Sequence, residues 1–408
     1  MKKNQFYLLF IILLLWAKAL HAREQISRNM FMVTNLNTEN GLSSSRVYSI
    51  VEAEDGAMWI STKRGVDRYN GQVVTNYTLA TEMQYSDASG RTIKLLQDCN
   101  RQLYAYDNKG KIYIYNKDQD AFILKYNLLN LLGRSTVLNE LLVDSKGNFW
   151  LALDHGLYWL QASVDEKEIS QEKAKGKYIL KNIYINHIQF VGQKLLVGTS
   201  KDVYQYSLVS LKMEKKLNGF SVVSSYHDRV AHQIWLGTFH QGVLVLDDRT
   251  WNPVSMVDFG SLSKIPQIPV RSIIPYKNDA LLMAVDGAGI YAFDRVSKQT
   301  HLILDTEGRP GSVLKGNGLY TLCCDRFCDL WVGSFSGGVD LAIPMERSLE
   351  YITHGYLNSQ SLMDNSVNDV FQSRDGKIWY ATDKGVSVYD GKNNLWHHGL
   401  YGKVALTI

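Results

Sequence analysis

From Val47 onward the chain alternates between short apolar runs and polar turns that carry glycine. Asp55-Gly56-Ala57-Met58-Trp59-Ile60-Ser61-Thr62-Lys63-Arg64-Gly65-Val66-Asp67-Arg68-Tyr69 shows the unit. A polar turn leads into a short run suited to a pleated sheet, then a second turn at Gly65 and another alternating run. The phrase returns around Phe149-Trp150-Leu151-Ala152, Ile234-Trp235-Leu236-Gly237, Leu330-Trp331-Val332-Gly333 and Ile378-Trp379-Tyr380-Ala381. Weaker copies place Tyr104, Leu196 and Leu282 where the others have Trp. About eight copies at a period of roughly 40–50 residues predict a β-propeller of four-stranded blades. An apolar strand opens each copy, as at Val47 to Val51, Leu138 to Val143, Val270 to Tyr276 and Leu319 to Cys323. A less regular fourth strand follows the Gly-ended hairpin, for example Val73 to Tyr77 or Tyr351 to His354. The Trp positions read as packing between blades, because the period itself accounts for them.

The first residues follow a different pattern. Lys2 and Lys3 precede the apolar run Phe6 to Trp16, and small residues follow up to Ala22. This predicts a secretory signal peptide over 1–22, the run being short for a bilayer span; an uncleaved anchor is the other reading. The segment carries three of the 44 basic residues and none of the 40 acidic ones, so the remainder holds 41 against 40. That balance argues against nucleic acid as a partner. Hydrophobic residues make up 45% of the chain and prolines number 6, which suits a packed core rather than a disordered chain. The polar stretch Asp165 to Lys177 reads as a solvated loop.

The candidate chemistry is sparse. Cys323, Cys324 and Cys328 cluster, with Cys99 apart. Strand neighbours face opposite sides, so Cys323 and Cys324 do not pair, whereas Cys324 and Cys328 approach across a turn; buried thiols are the simpler reading. No nucleophile elbow, zinc-protease helix or phosphate-cradling loop occurs, and adjacent His397 and His398 point apart on a strand. No catalytic residue, metal site or cofactor is expected. Binding remains. Alternating strand direction opens the loop after the second strand and the loop before the first on one face, with the Asp-Gly turns on the other. The first face carries Arg46, Arg64, His155, His240, Arg271 and Phe335, which mix charge, hydrogen bonding and apolar area as sugar hydroxyls or carboxylates require. Taken singly, each is also an ordinary loop residue.

The repeat resembles the two-component regulator propeller repeat of periplasmic sensor regions in Bacteroidetes hybrid two-component systems. The resemblance rests on Leu42-Ser43-Ser44-Ser45-Arg46-Val47 leading into Asp55-Gly56-Ala57-Met58-Trp59-Ile60, and on Ser361-Leu362-Met363-Asp364-Asn365-Ser366-Val367. It covers nearly everything after residue 22. It implies two seven-bladed propellers, then a Tyr-rich domain, a membrane helix and a kinase region. The expected partners are therefore an oligosaccharide, those further domains and a second copy in a homodimer. The expected place is the periplasm, with the full-length form anchored in the inner membrane. The expected function is a sensor module that binds a glycan-derived oligosaccharide, not an enzyme. The alternative is a stand-alone exported propeller for protein interaction, or a carbohydrate-active enzyme. The expected division is a seven-bladed propeller over 23–345 and a further blade over 346–408 that starts a second ring; a single eight-bladed ring is the alternative. Phe31-Met32-Val33-Thr34-Asn35 reads as an outer strand without a blade of its own, a strap to close a ring.

Overall fold

A computed structural model describes residues 31–79, 90–162, 175–254, 259–277, 279–307, 313–345, 352–354, 361–391, 393 and 395–408. The signal peptide expected over 1–22 and most of the Asp165 to Lys177 loop lie outside them. The chain divides into two compact units, Met1–Pro344 and Met345–Ile408.

The first unit is an all-β propeller with seven sheets. Each is antiparallel, with strands in sequence order from the channel outward except for the outermost strand of blade 7. The innermost strands are Val47–Glu52, Ile93–Gln97, Leu138–Val143, Ile185–Val191, Val222–Asp228, Val270–Tyr276 and Leu319–Cys324, which open blades 1 to 7. Among the described residues blade 5 has three strands and the other six blades have four. The outermost strand of blade 7 is Phe31–Leu36, which pairs antiparallel with Val339–Pro344, Val33 facing Ala342 and Asn35 facing Asp340. The N-terminal segment is therefore the strap of a seven-bladed ring. It takes the place expected for Tyr351 to His354, whose described residues 352–354 form no strand. The innermost strand of blade 1 also packs on that of blade 7, which brings the ends of the ring together.

The repeated phrase has a physical cause at each position. In blades 2, 3 and 7 an aspartate stands six residues before the aromatic, whereas in blade 1 it is Asp55, four residues before Trp59, and it accepts from the Ala57 backbone. Asp144 accepts from the backbone N–H of Lys146 and Asn148 through Oδ1, and from Trp150 Nε1 through Oδ2 at 3.2 Å. Asp325 treats Trp331 the same way at 3.0 Å, and Asp98 accepts from the hydroxyl of Tyr104, the Trp substitute. One carboxylate thus closes the turn and anchors the ring that fills the space between blades. Trp59, Trp150, Trp235 and Trp331 are all buried.

Two residues after the aromatic position, every blade but blade 2, which has Tyr106, carries a small side chain. A Cβ on Gly333 would lie 2.7 Å from Val47 Cγ1 of blade 1, and one on Gly237 would lie 2.4 Å from the carbonyl oxygen of Val270 in blade 6. At these two positions the approach is too close for any larger residue. In blades 1, 5 and 7 the next residue is a hydroxyl that staples the following turn: Thr62 donates to the Gly65 carbonyl, Thr238 to Gly242 and Ser334 to Gly338.

A buried aspartate on the third strand holds the loop before the first. Asp67 accepts from the Ser43 backbone and hydroxyl and from Asn76 of the fourth strand. Asp340 accepts from the Lys315 backbone at 2.9 Å and from Asn35 of the strap at 2.7 Å. Burial raises both carboxyls, Asp340 to about 6.

The second unit, taken by itself, is one four-stranded sheet, Val367–Gln372, Ile378–Thr382, Gly385–Asp390 and Leu395–Gly399. Val370 and Phe371 of its first strand are exposed, and Trp379 is only half-buried.

Two predictions follow from the packing. Gly333→Ala should cost about 1–3 kcal/mol in chemical denaturation, while Gly260→Ala, whose Cβ meets nothing, should be near neutral. Second, folded Asp340 takes up its proton near pH 6, but unfolded Asp340 does so only near its ordinary value. Its contribution is therefore greatest at low pH and is lost as pH rises through 6. The wild-type melting temperature should fall between pH 5 and 7 more steeply than that of Asp340→Asn; equal slopes would refute this.

Candidate functional site

One hydrogen bond recurs and fixes which loops share a face. The residue opening the turn after the second strand donates its backbone N–H to the loop before the first. Lys63 donates to Arg46, Asp154 to Val137, Phe239 to Ser221, Asp286 to Pro269 and Phe335 to Gly318, at 2.7–3.1 Å. The first strand slips by one residue beside this bond, between Val47 and Ser49, Val270 and Ser272, and Leu319 and Thr321. Each slip is a bulge whose extra residue re-aims its side chain. In those three blades the extra residue is Tyr48, Arg271 or Tyr320. The sequence reading passed over both tyrosines.

These side chains meet in one cluster at the channel mouth. The Arg46 guanidinium of blade 1 lies 3.8 Å above the Phe335 ring of blade 7. Phe335 contacts Tyr320 edge-on at 5.9 Å, and Tyr320 stacks on Tyr48 of blade 1 at 5.8 Å. Arg271 of blade 6 lies 5.7 Å over Tyr320 and 5.4 Å over Phe239 of blade 5. Phe239 in turn contacts His240 at 4.6 Å. Four consecutive blades therefore build one cationic and aromatic surface. Phe239 and Phe335 are 36% and 42% exposed, enough to present ring faces to a ligand. Burial raises the Tyr320 hydroxyl, which stays protonated and able to donate.

The structure brings Arg46, Arg271, Phe335 and His240 together and treats the other two candidates differently. Arg64 is exposed on the turn beside Arg46. His155 is held within blade 3: Nδ1 lies 2.6 Å from Asp154 and 3.1 Å from Thr136, and Nε2 lies 2.7 Å from the Tyr178 hydroxyl. Both ring nitrogens are engaged by the protein. Arg271 has a partner too, with Nε and a terminal nitrogen each 3.1 Å from Asp286 Oδ2.

A chain of polar groups that the sequence does not announce runs through the innermost strands of blades 3 to 5. His187 Nδ1 lies 2.7 Å from Glu140 Oε2, and His187 Nε2 lies 2.6 Å from Ser225 Oγ. Burial works against the Glu140 charge, but His187 outweighs it and holds the carboxyl below its ordinary range. Glu140 also accepts from the Ile188 backbone, and Ser225 donates to Gln189. Ser49 of blade 1 and Ser272 of blade 6 accept from the next blade's backbone in the same way as Glu140 does. The chain thus acts as a set of pegs between blades.

On the opposite face a cleft of about 360 Å³ lies between blades 1 and 2, lined by Glu54, Asp55, Trp59, Arg68, Arg101 and Lys117. That face also carries a clamp across the ring closure. Arg326 of blade 7 pairs with Glu52 at 2.5 Å and donates to the Ala53 and Glu54 carbonyls of blade 1. Burial pushes the Cys323 and Cys324 thiols up to about 12, so both are protonated. All four cysteines are free. Among the described residues no group of three or more metal-ligating side chains gathers, and no helix is long and apolar enough to cross a membrane.

Residues 41–64 match the profile of the two component regulator propeller family. The chain carries a two-component regulator propeller repeat. The match spans the loop, first strand and Trp strand of blade 1, from which Arg46 and Tyr48 join the cluster at the mouth. Among solved structures, the chain is similar to the extracellular domain of a hybrid two component system from B. thetaiotaomicron, with a TM-score of 0.61 and 19% identity over 91% of this chain and 49% of that one. A second extracellular domain from the same organism matches at 18% identity over 92% of this chain and 63% of that one, with a TM-score of 0.41. The mitotic checkpoint complex matches with a TM-score of 0.55 at 10% identity, over 78% of this chain and 94% of that one. The chain spans about half the length of the first of these. At such identities the likeness is one of fold. No curated protein sequence matches the chain.

One prediction separates packing from binding. His155→Ala should lower the melting temperature through the lost Asp154, Thr136 and Tyr178 contacts, by about 1–3 kcal/mol, and leave ligand affinity at the mouth unchanged. Loss of affinity without loss of stability would place His155 in the site.

Proposed function

We propose that this chain is the ligand-sensing part of a hybrid two-component sensor and that it binds a glycan-derived oligosaccharide at the channel mouth. In this reading residues 1–22 direct export, residues 23–345 form the first propeller, and the sheet in 346–408 is the first blade of a second. A Tyr-rich domain, membrane anchor and kinase region would complete the sensor, with the propellers in the periplasm and the full-length protein as a homodimer. The matched repeat, the fold likeness and the length of the first relative support it.

The observation that carries the reading is the cluster of Arg46, Tyr48, Tyr320, Phe335, Arg271 and Phe239. An extended ligand gains from many weak contacts on one surface, and loops from four blades supply one here. The uncovered strand Val367–Gln372 supports the second-blade reading, since apolar inner strands are buried in every complete blade. A hydrolase finds a foothold only in Glu140, His187 and Ser225. There the Ser225 proton is directed to Gln189 rather than to the imidazole, which disfavours nucleophilic attack.

The test is calorimetry of the chain against soluble oligosaccharides. Phe335→Ala or Tyr320→Ala should weaken binding by about 1–2 kcal/mol, roughly five- to thirtyfold. Lys146→Ala and Arg101→Ala, on the opposite face, should not. The reverse pattern would move the site to the cleft beside Trp59.

A further inference from the structure

The cations at the mouth are not equivalent. Arg271 is neutralised by Asp286 at 3.1 Å and serves to hold Tyr320 and Phe239 in place. Arg46 has no carboxylate partner among the described residues, and neither have Lys63 and Arg64. The Lys63 backbone N–H donates to the Arg46 carbonyl at 3.1 Å, so all three cations spring from one spot in blade 1. The nearest acid on that blade, Asp67, is fully buried and engaged by Ser43 and Asn76, so it does not reach the surface. Three uncompensated charges repel one another, and an anion relieves that repulsion. Arg46 is also pre-organised. Its Cζ lies 3.8 Å above the Phe335 ring, which restrains the guanidinium by a cation–π contact, and among the described residues no hydrogen bond engages the guanidinium N–H groups.

We propose that the ligand at this mouth is an anionic oligosaccharide, with Arg46 holding its carboxylate or sulfate in a two-pronged contact and Lys63 and Arg64 beside it. The inference rests on the oligosaccharide reading above and narrows it to a charge class. The Tyr48–Tyr320 stack, next to Phe335, supplies apolar surface for the sugar rings adjoining the acidic one. Because Arg46 belongs to blade 1 and Phe335 to blade 7, the acidic group is held across the ring closure.

The test is an array carrying oligogalacturonates, sulfated galactan oligosaccharides and the carboxyl-reduced or desulfated counterpart of each, probed with the whole chain. Affinities of the bound members are then measured by calorimetry at two salt concentrations. The expected result is binding of charged members only, weakened by salt. Preference for the galacturonate or the sulfated set identifies the anion. Arg46→Ala should reduce affinity by about tenfold to a hundredfold, and Arg46→Lys should restore only part of it, since a lysine keeps the charge without the planar fork. The double variant Lys63→Ala/Arg64→Ala, on an exposed turn, should lessen the salt dependence even if Arg46→Ala disturbs the fold. Lys146→Ala should change nothing. Equal binding of charged and neutral counterparts, or full affinity in Arg46→Ala, would overturn the inference and leave the oligosaccharide reading standing. Binding of no member would overturn both.

Discussion

A blade of this propeller does not bury its own faces. Its Trp strand lies against the innermost strand of the next blade, so closely that a methyl group on Gly333 would strike Val47. Every sheet therefore depends on two neighbours, and a chain of such sheets is satisfied only when its last blade meets its first. The strap Phe31–Leu36 provides that meeting by completing blade 7 before blade 1 begins. The sheet of residues 367–399 shows the same sequence pattern, with Val370 and Phe371 exposed and Trp379 half-buried.

The closure also positions the candidate site. On one face Arg326 clamps Glu52 and the turn of blade 1. On the other, Arg46 and Tyr48 of blade 1 lie against Phe335 and Tyr320 of blade 7. Asp340 connects strap and mouth within one blade: it takes a hydrogen bond from Asn35 and another from the backbone of the loop that leads to Tyr320. Arg46 and Tyr320 belong to the first and the last blade, so the cluster spans both ends of the ring.

Much of this was legible in the sequence because it follows from chemistry that repeats at fixed spacing. The polar turn and the aromatic on the second strand recur at a fixed period, with a small residue two positions later in most copies and a hydroxyl after it in several, and together they identify blades, faces and packing residues. The strap carries its own mark. Val33-Thr34-Asn35 repeats the Val74-Thr75-Asn76 of blade 1's fourth strand, and Asn35 serves Asp340 as Asn76 serves Asp67. What remained hidden has no period. Arg271 is paired with Asp286 fifteen residues on, and His155 is locked by Tyr178, which belongs to the next strand but one. Phe335 becomes a platform for Arg46 only after nearly the whole ring has intervened. Glu140, His187 and Ser225 meet across three blades at spacings that match no motif. The bulge that aims Tyr48 and Tyr320 into the mouth looks like ordinary strand in the sequence.

The account stands on the strap, and amide hydrogen exchange of the intact chain tests it most directly. In a ring closed by Phe31–Leu36, the amides of that segment and of Val339–Pro344 exchange slowly and together, at rates close to those of the interior strands of blades 1 and 6. Rapid exchange over 31–36, with 339–344 exchanging as an open sheet edge while the other blades stay protected, would contradict it.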